Sequence, residues 1–138
     1  MTLWHFTCEH GRRALGKRGL LVAPIAHPLL GAKVIWLTTE AAPDRERTGL
    51  TMNFQHCDRM AYRYRVLQPE RCVPWFGSAT RAAAPAEVIA DLESFGDPEH
   101  WWITAVPTLA ELAPTDKHRY AEEQTYTEPQ DRDSQDRD

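Results

Sequence analysis

Met60-Ala61-Tyr62-Arg63-Tyr64-Arg65-Val66 alternates residue by residue, with Met60, Tyr62, Tyr64 and Val66 on one side and Arg63 and Arg65 on the other. A period of two is that of an extended strand with one face against a core and the other toward water. Around this strand the chain offers further short β-prone runs. Leu3-Trp4-His5-Phe6-Thr7 is aromatic, and Lys33-Val34-Ile35-Trp36-Leu37-Thr38 is β-branched and aromatic. Trp101-Trp102-Ile103-Thr104-Ala105-Val106 reads as a last strand, because Pro107 cannot donate to a central ladder.

Helical signals separate these strands. Thr7 is a capping residue type ahead of a helix from Glu9 to Arg18, with Gly19 expected as its stop. Pro85 suits a first helical position, and Val88, Ile89, Leu92 and Phe95 follow at helical spacing up to Gly96. Between Val22 and Lys33, Pro24, His27, Pro28 and Gly31 predict an irregular loop, and Glu40 to Arg47, with Pro43, predicts a polar connection closed by Gly49-Leu50-Thr51. The class is α+β.

The 138 residues fit one domain, and 42% hydrophobic with 26% charged residues is ordinary for a globular chain. The net charge of −4 resides in the last 24 residues, where eight acids face four bases. Residues 1–114 are therefore expected to fold as an electrically balanced body, with 115–138 as a disordered acidic tail ending in Gln130-Asp131-Arg132-Asp133 and its repeat Gln135-Asp136-Arg137-Asp138. No apolar run approaches the roughly 18 residues of a membrane span, and Met1-Thr2-Leu3-Trp4-His5 is unlike a secretory leader. Three cysteines without a CxxC pair suit a reducing compartment, so a cytoplasmic location is expected. The body lacks a dense basic stripe, which gives double-stranded nucleic acid little electrostatic hold.

The order Trp4-His5-Phe6-Thr7, a helix, Arg18-Gly19-Leu20-Leu21, Val34-Ile35-Trp36-Leu37-Thr38 and Thr48-Gly49-Leu50 resembles the opening half of ADP-ribosyltransferase-like proteins. The likeness is to the diphtheria-toxin-like and tRNA 2′-phosphotransferase branches, and also to small proteins of actinobacteria and their phages. It covers residues 3–106 roughly, each motif being short. It implies a split, mostly antiparallel sheet with short flanking helices, NAD as substrate, no metal, and ADP-ribose transfer to a protein or nucleic-acid acceptor. It leaves open a catalytically degenerate domain that binds a nucleotide or protein, a phosphotransferase-type relative, and an interaction protein that uses its tryptophans as contact surface.

Cleaving the nicotinamide–ribose bond needs a ribose anchor, a stacking surface and an anion beside the developing cation. The resemblance assigns His5 as anchor, with Thr7 two residues along the same strand face, and Trp36 as the ring beside nicotinamide, followed by Thr38. It assigns Glu99, before the last strand, as the carboxylate, so the catalytic pair is Glu99 and His5. Trp36 replaces the tyrosine or histidine of the family pattern. Arg63 and Arg65 are candidates for holding a phosphate, and His27 for the adenosine side. On this reading His5, Thr7 and Trp36 surround one pocket. For each residue a structural role is the competing explanation: a hydrogen-bonded strand histidine, a core tryptophan, an exposed turn glutamate, two solvated arginines.

His5-x-x-Cys8-x-His10 contains metal-ligand types but lacks a second pair at zinc spacing. Cys8, Cys57 and Cys72 read as small packing residues. No GxxxxGK[ST], GxGxxG or GxSxG motif is present, which removes the main warrant for P-loop, Rossmann and α/β-hydrolase chemistry.

Overall fold

The computed structural model describes residues 1–44, 58–94 and 96–114. Thr48-Gly49-Leu50, Cys57, Phe95 and the acid-rich segment 115–138 lie outside the described residues. The alternating tyrosines form β4 (Tyr62–Val66), in which Tyr62, Tyr64 and Val66 are buried while Arg65 is exposed. Among the described residues, six other strands join it: β1 (Trp4–Thr7), β2 (Arg18–Leu21), β3 (Ile35–Thr38), β5 (Val73–Pro74), β6 (Trp101–Thr104) and β7 (Thr108–Leu112). They form one sheet in the order β2-β7-β4-β1-β3-β6-β5, and every pairing is antiparallel. Among the described residues, three short α-helices flank it: α1 (Glu9–Leu15), α2 (Ala79–Ala83) and α3 (Ala86–Glu93).

The pairing is uneven along the sheet. β1 and β4 match at four residue pairs, as do β3 and β6, whereas β1 meets β3 only at Trp4 and Thr38. The sheet thus consists of two well-paired halves, β2-β7-β4-β1 and β3-β6-β5, joined at a narrow seam.

Strand alternation sorts the side chains. One face carries His5 and Thr7 of β1, Ile35 and Leu37 of β3, and Tyr62, Tyr64 and Val66 of β4. The main core gathers there, with Leu3, Leu21, Cys72 and Ala110 buried and Leu15 of α1 packed against them. Full burial of a leucine such as Leu3 stabilises by about 1.5–3 kcal/mol. The other face carries Trp4, Phe6, Trp36, Thr38, Arg63, Arg65 and Trp101.

Several expected boundaries shift for physical reasons. α1 stops at Leu15, not Arg18, because Gly16 takes φ 69 and its N–H closes on the Arg12 carbonyl. Gly19 is a strand residue of β2, held close to α1: a Cβ there would fall 2.6 Å from the Leu15 carbonyl oxygen. Trp101–Thr104 is not the last strand. The chain turns at Pro107 and enters β7, which lies between β2 and β4. Pro107 sits in the turn, where no ladder N–H is required. Ahead of α3, α2 is capped by Ser78, whose hydroxyl accepts from the Arg81 N–H.

Candidate functional site

His5 and Trp36 meet at the seam, but not ring to ring. β1 and β3 part beyond the Trp4–Thr38 pair, and the His5 imidazole spans the gap: Nδ1 lies 3.0 Å from the Trp36 main-chain oxygen. A carbonyl oxygen only accepts, so Nδ1 carries the hydrogen and Nε2 is the acceptor of the neutral ring. Enclosure of the ring lowers its pKa from the ordinary 6.5; the Trp36 bond opposes this, and the nearby Arg59 charge adds to it. His5 is therefore held neutral in one tautomer.

The Trp36 side chain lies on the opposite face of the sheet from His5 and Thr7. The expectation of one pocket around the three side chains is thus corrected: the Trp4–Thr38 register puts an odd number of residues between the two. The Trp36 ring packs on Trp75 at 5.1 Å and Trp101 at 5.5 Å between centroids, with His27 edge-on at 6.1 Å. Trp75 is fully buried and donates from its indole nitrogen to Glu93 at 2.6 Å. Glu93 also receives Arg81 at 2.7 Å, and these bonds hold its carboxyl below the ordinary range. Trp75 is buried, and the other four tryptophans are partly buried.

The remaining predicted residues are dispersed. Thr7 faces α1, where a Cβ at position 11 would collide with its side chain, so Gly11 is needed there. Thr38 accepts the Glu40 N–H at 3.1 Å. His27 closes its own loop: Nδ1 accepts from the N–H groups of Leu29 and Leu30 at 3.2 and 3.4 Å. Arg63 stacks over Trp4 at 4.1 Å and donates to the carbonyls of Ala41 and Pro114, both at 2.9 Å. Arg65 pairs with Glu111 across the ladder. Both arginines are thus engaged in joining segments.

Glu99 does not meet His5. It lies in the turn before β6, past the end of β3, on the order of 10 Å along the strands from Trp36. Its side chain is 62% exposed and stands 4.0 Å from His100. The Glu99–His5 catalytic pair is not assembled, because the Thr38–Trp101 register carries the turn beyond the seam.

Sequence reading missed Arg59, whose charge reaches His5 from the segment entering β4. It also missed Thr39, Glu40 and His100 beside Glu99. Proximity of Arg59 to a β1 residue depends on chain folding, so no local pattern signals it. Among the described residues no three His, Cys, Asp or Glu side chains gather as metal ligands would, and no helix is long and apolar enough to cross a membrane. Comparison of the chain with protein-family models, curated proteins and solved structures found no match.

Proposed function

We propose that this chain is a catalytically degenerate ADP-ribosyltransferase-like domain that binds NAD by its ribose beside His5. The observation that supports this is the imidazole at the seam, kept neutral by its burial, with Nε2 left as the acceptor because Nδ1 bonds the Trp36 carbonyl. A sugar hydroxyl is a donor of the kind that such a nitrogen takes. Arg59 brings positive charge near the same ring, which suits a diphosphate. The separation of Glu99 from His5 favours binding over cleavage, since an oxocarbenium-like transition state needs an anion next to the ribose.

The test is calorimetric titration of NAD into wild type and His5→Ala, with chromatography of released nicotinamide. Binding to wild type, loss of binding in His5→Ala and no nicotinamide is the expected result. Release of nicotinamide establishes the transferase reading in its place, and absence of binding ends both.

A further inference from the structure

Beyond the seam, the end of β3 and the start of β6 hold a second group of reactive side chains. The Thr39 N–H donates to the His100 carbonyl at 3.0 Å, extending the β3–β6 ladder by one pair and bringing both side chains to one sheet face. The Thr39 hydroxyl lies 2.9 Å from His100 Nδ1. On the far side of the ring, Nε2 faces Glu40 at 3.8 Å and Glu99 at 4.0 Å. The imidazole and both carboxylates are partly open to solvent.

A hydroxyl bonded to an imidazole, with carboxylate behind the opposite ring nitrogen, is the arrangement that makes an alcohol nucleophilic. The order of roles matters more than the residue types. With hydrogen on Nε2, Nδ1 accepts the hydroxyl proton, and a neighbouring carboxylate stabilises the imidazolium that results. Apart from Glu99, these residues belong to no site described above. The Thr39–His100 bond does not close a turn or cap a helix, and the adjacent backbone pair already fixes the ladder at this point.

From this geometry we infer that Thr39, with His100 as general base, is a nucleophile that takes an acyl group from an activated ester. The Thr39 oxygen attacks the ester carbonyl while its proton passes to His100 Nδ1. The bond to the leaving alcohol breaks, and that oxygen takes the proton back from His100. The product is a threonine ester; water attacks its carbonyl as the water's proton passes to His100 Nδ1. The bond to Thr39 Oγ1 breaks, and that oxygen takes the proton from His100, freeing the carboxylic acid and restoring the hydroxyl. Glu40 and Glu99 are positioning residues that act through the ring. No oxidant, reductant or metal enters the balance.

The experiment uses the full chain and p-nitrophenyl acetate, following p-nitrophenolate release by rapid mixing and locating the acetyl group by peptide mass spectrometry. Wild type is expected to show a burst and acetyl on Thr39. Thr39→Val, matched in shape, removes both, whereas Thr39→Ser retains them. His100→Gln slows the burst on the order of 100-fold. Glu40→Gln lowers the burst rate but not its amplitude, a distinction that a loss of folded protein would not produce. Acetyl found only on lysine, cysteine or the N-terminus overturns the inference, as does an undiminished burst in folded Thr39→Val. Circular dichroism establishes folding; if Thr39→Val unfolds, the acetyl position in wild type and the His100→Gln rate decide alone.

Discussion

His5 Nδ1 donates to the main-chain carbonyl of Trp36, 31 residues further along the chain, and this bond crosses the seam where β1 and β3 are otherwise paired at one position. His5→Ala leaves the carbonyl without this donor in an enclosed place. A loss of about 1–3 kcal/mol in unfolding free energy is expected, read from urea titration at neutral pH. An unchanged midpoint would show that the seam does not depend on this bond.

The same histidine predicts a pH dependence. Its folded pKa lies below the ordinary 6.5, so the unfolded chain binds the proton more readily than the folded one. Its contribution is therefore complete above about 6.5 and declines as pH falls from there toward the lowered folded value. His27 is shifted in the same direction by burial and adds to the effect. Melting temperature should fall between about pH 7.5 and about pH 5 in wild type, and less steeply in the His5→Gln, His27→Gln double variant. Equal slopes would refute the assignment.

Glu93 gathers Trp75 and Arg81, with its carboxyl held below the ordinary 4.5 by the Arg81 hydrogen bond first and by the Trp75 bond in support. For an acid with a depressed folded pKa, the contribution is present above 4.5 and is lost as pH falls through the folded value. Glu93→Gln should melt lower than wild type at neutral pH, and the two should converge toward about pH 3. Trp fluorescence follows both proteins.

Cys72 is buried, and desolvation, assisted by Glu70, raises its thiol pKa to about 11. Because the thiolate is the reactive form, Cys72 should resist a disulfide reagent in the folded protein and react on unfolding. Half-buried Cys8, whose sulfur lies 3.7 Å from His10 Nδ1, should react ahead of it. Peptide mapping after brief labelling distinguishes the two.

Gly19 is required by close approach. Gly19→Ala puts a methyl 2.6 Å from the Leu15 carbonyl oxygen, and backbone at the end of α1 has to shift. A destabilisation of about 1–3 kcal/mol is expected. A gain, as strand entropy alone would suggest, would show that α1 yields freely.

Residue pattern alone determined the local periods: the alternation of Tyr62, Tyr64 and Val66 against the arginines, the extended runs around Trp4 and Trp36, and the helix after Pro85. These follow from which side of a strand or helix each apolar residue must occupy, and neighbouring residues specify that. β7 escaped notice because Thr108-Leu109-Ala110-Glu111-Leu112 has little β-branching and follows a proline; its strand conformation comes from ladders with β2 and β4. His5 was legible as a polar group on a strand. Its partner was not, since a bond to a carbonyl 31 residues away leaves no trace in composition. Register decided the rest. One pairing, Trp4 with Thr38, sends the rings of His5 and Trp36 to opposite faces, and another, Thr38 with Trp101, carries Glu99 past the seam and next to His100. Side-chain direction reverses with each single-residue step in pairing, and pairing is a tertiary quantity set by the whole sheet.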